Sequence, residues 1–465
     1  MRPVLLLNVV GLTPALLGPD TPHLTALARR GGQAPLASML PAVTCSAQAT
    51  YLTGESPSVH GAVGNGWFFR DEAEVHFWKQ SNHLVKAPKL YERARKLLPG
   101  FTCAKLFWWW NMGADVDFSI TPRPFYLADG RKSLTVYTTP RSLQKELERR
   151  HGEFPFFDFW GPKAGLASTR WIADVTLQVL REKKPTLTMA YLPHLDYDLQ
   201  RYGPDSPRAK QALVDVDLIV GELIAAADAQ GAATVVLSEY GIEKVWQPVH
   251  LNRHLRRAGL LEVRTGPEGE ELDVHASRAF AVADHQVAHI YTKDARARAQ
   301  VKEVLAGIEG VDRVLDTNGK VAAGLEHDNA GDLVVVARKG AWFTYYYWLD
   351  DALAPDFART VDIHRKPGYD PCELFLDPKI WLPRMRVANR VARKALGFRM
   401  LMDVIPLDAN LVKGSHGRIP DDPQDGPVFL CSEPLDECGG DPGYESIDPT
   451  SVMQRVLDLL EGESN

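Results

Sequence analysis

The sequence predicts an α/β fold, a mostly parallel sheet covered by helices, and three observations carry that reading. Strand-like apolar runs alternate with longer helix-like ones. Several of the strand-like runs are apolar at every position, as strands buried on both faces are. Polar residues then gather just past their carboxyl ends, where open α/β sheets bind ligands. With 465 residues, 45% of them hydrophobic and 24% charged, the chain can bury a large core.

Each element follows from its own residues. VLLLNVV (4–10) reads as a buried strand that turns at Gly11. Arg2 ahead of this apolar run imitates a signal peptide, but Asn8 interrupts it and no small-x-small cleavage site follows. TPHLTALARRG (21–31) reads as a helix with a Thr21 cap, Pro22 at its first position and Gly31 at its end. CAKLFWWW (103–110) and LTMAYL (187–192) are core strands, and the strand setting puts His194 on the same face as Asp196. Residues 207–231 form a long amphipathic helix closed by glycine, and ATVVLSEYG (233–241) a strand with a polar end. Asn8, Asp196 and Glu239 thereby fall near carboxyl ends of strands.

From about 275 to 400 the rhythm changes. AHIYT (288–292), a helix over 294–308, LVVVAR (333–338) and AWFTYYYWLD (341–350) suggest a smaller α+β cap. The expected division is a core of residues 1–272 and 401–465 with an insertion of residues 273–400. Residues 419–449 read as loop around the strand PVFLCSE, and 451–462 as a closing helix. The segment 381–402 combines Arg384, Arg386, Arg390, Arg393, Lys394 and Arg399 with apolar residues at helical spacing. An exposed basic face on an ordinary helix is the preferred reading, with contact to an anionic membrane surface as the alternative.

A net charge of −6 argues against a general nucleic-acid binder. No apolar run reaches the length of a membrane span. The five cysteines, at 45, 103, 372, 431 and 438, lack CxxC spacing and cannot all pair, which fits reduced thiols and a cytoplasmic location.

The chemistry concentrates in PAVTCSAQATYLTGESPSVHGAVGNGW (41–67). Thr44 stands before a small-residue helix start, where N–H groups and the helix dipole favour an anion. Asn65, in a glycine-flanked loop, has an amide suited to a non-bridging phosphoryl oxygen. Taken alone, Thr44 reads as a helix cap and Asn65 as a turn residue. In order, however, Thr44, Leu52-Thr53-Gly54, His60-Gly61 and Asn65-Gly66 resemble the type I phosphodiesterase/nucleotide pyrophosphatase family of the alkaline phosphatase superfamily. The resemblance implies an alkaline-phosphatase-like sheet and a metal-dependent hydrolase with a threonine nucleophile, Thr44. Asn65 and Trp67 are its substrate-binding candidates, and the substrate is a small phosphorylated molecule.

The resemblance also implies a two-metal site, and this chain departs from it position by position. In the family one ion takes a first-strand aspartate, the threonine and the Asp-His of a Ser-Asp-His-Gly segment. Here those positions hold Asn8, Thr44, Glu239 and Tyr240. The second ion takes an aspartate, a histidine four residues later and a late histidine before glycine. Here they are Asp196, Gln200 and His416, in YLPHLDYDLQRYGP (191–204) and GSHG (414–417). One formal negative charge and two imidazoles are lost. The resemblance implies zinc, one or two divalent ions. Zinc prefers nitrogen and sulfur donors, so this oxygen-rich set points to weaker zinc binding than in the family, with magnesium, manganese or calcium as the alternative. Three readings follow: an active hydrolase with an altered metal site, a non-catalytic binder of a phosphorylated metabolite, and a scaffold with a decayed site. Every changed position stays polar, which favours the first.

Overall fold

The computed structural model describes residues 1–128, 132–396, 401–435 and 446–462. Cys438 and Arg399 lie outside the described residues. The strands that matter for the site are β1 (Val4–Val9), β2 (Gly32–Pro35), β3 (Cys103–Leu106), β4 (Phe118–Pro122), β5 (Val136–Thr139), β6 (Leu187–Leu192) and β7 (Ala233–Leu237). They continue with β8 (Ala279–Asp284), β9 (Val287–Thr292), β10 (Val311–Leu315), β11 (Leu333–Ala337) and β12 (Val428–Cys431). The helices are α1 (Pro22–Arg30), α2 (Thr44–Thr53), α3 (Leu166–Lys183), α4 (His194–Tyr202), α5 (Pro207–Asp228), α6 (Ala295–Ala306), α7 (Pro383–Ala395) and α8 (Val452–Glu461).

Eight strands form the main sheet in the order β2-β12-β7-β1-β6-β3-β4-β5. The central pairs are parallel; β12 and β5 run antiparallel to their neighbours. β1 and β6 are buried at every residue, as their unbroken apolar sequences require. Helix α5 packs against α1 and α3, and α8 packs on α2 and β1. The α/β architecture expected from the sequence is therefore present. A second, antiparallel sheet runs β8-β9-β11-β10 and carries its own apolar cluster.

Register positions the site. Asn8 on β1 lies beside Tyr191 on β6 and Leu237 on β7. The chain therefore leaves β6 and β7 next to Asn8, delivering Asp196 and Glu239 to one edge. Gly11 has a φ of +82°, and a Cβ there would come within 2.9 Å of Leu199 Cδ1, so glycine is needed where the first strand turns past α4.

Several local expectations change. β3 stops at Leu106, because Phe107 and Trp110 adopt left-handed φ values of 63° and 57° that a continuing strand excludes. His194 and Asp196 sit on helix α4 rather than on a strand, so they do not share a strand face. Thr21 accepts from Gly18 N at 2.8 Å instead of capping α1 with its side chain. AWFTYYYWLD pairs only over Ala341–Phe343, although Tyr345 to Trp348 remain buried. No helix is long and apolar enough to cross a membrane among the described residues.

Candidate active site

Val43 is extended and Thr44 is the first residue of α2, which lacks a side-chain cap. All ten residues of the helix are buried. The small side chains of Cys45, Ser46, Ala47 and Ala49 let it pack this deeply. Near the helix start, Cys45 N donates to Asn65 Oδ1 at 3.0 Å. Asn65 is in turn gripped twice by Asp284, its N–H donating to Oδ2 at 2.7 Å and its Nδ2 to Oδ1 at 3.0 Å.

The Thr44 hydroxyl lies 3.3 Å from Tyr240 Oη, and Tyr240 donates to Asp196 Oδ1 at 3.2 Å. The other oxygen of Asp196 accepts from Gln200 Nε2 at 2.7 Å. Glu239 Oε1 accepts from Asn8 Nδ2 and from Gln48 Nε2, each at 2.6 Å. Gln48 is held in that orientation because its Oε1 accepts from Trp109 N, also at 2.6 Å. His416 donates from Nδ1 to Ala42 O at 2.8 Å, leaving Nε2 as the nitrogen with a lone pair. Its ring lies flat on Tyr240, with centroids 3.5 Å apart, and against His285 at 3.7 Å.

Burial dominates the electrostatics. It raises Asp196 to about 7, against hydrogen bonds from Gln200 and Tyr240. It raises Glu239 to about 7, opposed by Gln48, Asn8 and Thr44, and Asp284 to about 7, opposed by Asn65. The same desolvation lowers His416 to about 3, so its imidazole is neutral. No lysine or arginine hydrogen-bonds to any of these three carboxyl groups among the described residues.

Seven of the sequence candidates thus meet in one buried cluster: Asn8, Thr44, Asp196, Gln200, Glu239, Tyr240 and His416. Asn65 joins it through Cys45. Trp67 is 2% exposed and stacks on Phe69, with ring centroids 5.1 Å apart. Gln48, Asp284 and His285 escaped the sequence reading. Gln48 carried a signal, because it lies four residues after Thr44 and so one turn along the same helical face. Asp284 and His285 carried none; they enter from the β8–β9 turn, where Gln286 N also donates to His416 O at 2.8 Å.

The profile of the type I phosphodiesterase/nucleotide pyrophosphatase family matches residues 4–370. The chain belongs to this family. A Schizosaccharomyces pombe relative, an uncharacterised pyrophosphatase/phosphodiesterase, is 27% identical over 208 residues, 44% of this chain and 36% of the relative. The chain therefore matches about a third of that protein's length. Phosphonoacetate hydrolase from Sinorhizobium meliloti, solved with phosphonoacetate, superposes with a TM-score of 0.63 at 16% identity, covering 98% of this chain and 96% of that one. Murine ectonucleotide pyrophosphatase/phosphodiesterase 5, an inactive form with AMP, gives 0.59 at 16%, covering 100% and 96%. These likenesses establish the alkaline-phosphatase-like fold.

The family implies divalent metal. Nitrogen donors for it are few: Tyr240 spends its hydroxyl on Asp196, and His416 offers the one imidazole among the candidate ligands named from the sequence. Oxygen donors remain. Asn8 Oδ1, Gln200 Oε1 and Glu239 Oε2 are buried without a hydrogen-bond partner. These oxygens, beside carboxyl groups that accept no lysine or arginine hydrogen bond among the described residues, suit a hard, oxygen-ligated ion. Among the described residues, the single group of three His, Cys, Asp or Glu ligand atoms within 4.8 Å of one another is Glu72, Glu74 and His76, two of them exposed and all outside this cluster.

Proposed function

We propose that the protein hydrolyses small phosphate or phosphonate esters, with Thr44 as nucleophile in a site organised around an oxygen-ligated divalent cation. The observation that carries this reading is the trio of partnerless buried oxygens on Asn8, Gln200 and Glu239, beside carboxyl groups to which no lysine or arginine hydrogen-bonds among the described residues. Without a cation, that field repels a phosphoryl group. One ion takes only part of this set: Asn8 with Glu239, or Asp196 with Gln200 and the Nε2 of His416, would hold it, with magnesium or manganese fitting better than zinc. When bound, it supplies Lewis-acid polarisation of the phosphoryl oxygen.

The chain's own residues do the rest. The Thr44 proton passes to the Tyr240 oxygen while the Tyr240 proton moves to Asp196 Oδ1. The Thr44 oxygen bonds to phosphorus, the ester P–O bond breaks, and the leaving oxygen takes the proton returned from Asp196. Water then attacks phosphorus, the P–Oγ bond to Thr44 breaks, and the proton the water loses passes by way of Asp196 and Tyr240 to the Thr44 oxygen, restoring the hydroxyl. Asn65, fixed by Cys45 and Asp284, keeps its second amide N–H for a phosphoryl oxygen. Residues 273–400 act as the cap, since Asp284 and His285 reach the site from that segment.

The test is turnover of a chromogenic phosphodiester and a chromogenic phosphonate ester by protein stripped of metal and refilled with magnesium, manganese, calcium or zinc. Wild type refilled with magnesium or manganese is expected to exceed Thr44→Ala by at least about a hundredfold. Equal rates for both proteins overturn the nucleophile assignment. A second reading, a non-catalytic binder of a phosphorylated metabolite, draws on the Asn8 and Gln200 amides that already occupy one oxygen of each carboxylate. Ligand binding without turnover under any ion would establish it instead.

A further inference from the structure

Helix α7 lies outside both the site and the reading given for it. Its protein-facing side is polar: Arg386 pairs with Asp403, and Arg390 reaches the same carboxylate at 2.9 Å. Val387 packs against the second apolar cluster. The sequence alone favours an exposed basic face; among the described side chains, Asn389 and Arg393 are exposed together with several apolar residues. Trp381 is 88% exposed, Met385 66%, Val391 53% and Leu396 75%. Met385, Ala388, Ala392 and Leu396 follow at three- and four-residue spacing, which sets them in one stripe along the helix. Ala388, Ala392 and the flanking Arg393 are exposed as well.

We propose that α7 docks this stripe on an anionic phospholipid bilayer. Charge selects that partner. Between Trp381 and Met402 the sequence has Arg384, Arg386, Arg390, Arg393, Lys394 and Arg399 and no aspartate or glutamate, within a chain of net charge −6. Asp403 answers Arg386 and Arg390, and the exposed Arg393 complements lipid phosphates. An apolar stripe edged by arginines, entered through an exposed tryptophan and Pro383, is built to lie in the plane of the headgroups rather than to span them. At 13 residues the helix is too short to span. A second copy of the chain would bring the same basic edge against itself, so like charge disfavours it as the occupant.

Vesicle flotation tests this with the full-length protein. Wild type should float with phosphatidylcholine vesicles containing a third phosphatidylglycerol and stay below pure phosphatidylcholine vesicles, and 0.5 M salt should release it. Arg393→Gln should weaken partitioning about fivefold, and the triple variant Trp381→Ser, Met385→Ser, Leu396→Ser by more than about tenfold. All three substituted apolar side chains are exposed, so melting temperature and phosphoester turnover should stay at wild-type values. Absence of flotation, equal flotation with neutral vesicles, or an unaffected triple variant would overturn the proposal. So would a dimer in sedimentation analysis that the triple substitution dissolves, which would assign the stripe to a second copy.

Discussion

Asp284 shows how much can rest on one side chain. It accepts from both the backbone N–H and the amide nitrogen of Asn65, and Asn65 in turn holds the N–H of Cys45, next to Thr44. Asp284→Asn keeps the volume but replaces one accepting oxygen by a donor that faces another donor. It should lower kcat by about ten- to a hundredfold with little change in KM, because orientation is lost while binding groups remain. Steady-state kinetics beside an unchanged thermal midpoint would check this. Gln48 is the parallel case on Glu239. Gln48→Leu strips a donor from a buried carboxyl group and an acceptor from Trp109 N, each orphan costing about 1–3 kcal/mol. Urea denaturation should record that loss.

Among the elements, the strands were the most legible. β1, β6 and β7 follow directly from unbroken apolar runs, because full burial on both faces leaves little room for other residue types. The Thr44 helix was legible from its small residues and ordered motif. Legibility failed where backbone conformation overrode side-chain pattern. Phe107 and Trp110 belong to an apolar run yet turn left-handed, and periodicity carries no record of φ. It failed again at Asp284, whose partner lies 219 residues away, beyond any local signal. Gly241 marks a tight junction of elements just past β7. A Cβ there would sit 1.8 Å from Asp425 O, with Thr13 also pressing at 2.7 Å. Gly241→Ala should therefore cost at least about 1–3 kcal/mol through overpacking, again readable by urea denaturation.

For the whole molecule, buried imidazoles set the response to acid. His289 accepts from Gly331 N at Nδ1 and donates from Nε2 to Val63 O, a pairing that only the neutral ring satisfies. His60 likewise accepts from Ala62 N at Nδ1 and meets Thr50 at Nε2. Burial lowers His289 to about 4, and His60, with a further push from His327, to about 3. The unfolded chain therefore takes up protons first. Stability is intact above the ordinary histidine pKa, near 6.5, and falls as pH drops from there toward 4. Each such histidine contributes a loss of up to about 1.4 kcal/mol per pH unit in that window. The raised carboxyl groups of Asp196, Glu239 and Asp284 act in the opposite sense over this window. The imidazole part is therefore read as a difference: between pH 7.5 and 5 the urea midpoint of His289→Gln should fall less, or rise more, than that of wild type.

The bonds that close the cluster join residues far apart along the chain: Asn65 to Asp284 across 219 positions, Asn8 to Glu239 across 231, His416 to Ala42 across 374. Local contacts form early and distant closures late, so the cluster is among the last parts of the protein to assemble. During synthesis, the nucleophile helix leaves the ribosome long before the segment carrying His416 exists. A chain that stops short of His416 therefore holds Thr44 without the rest of the cluster, and the proposed site closes only once that later segment has been made.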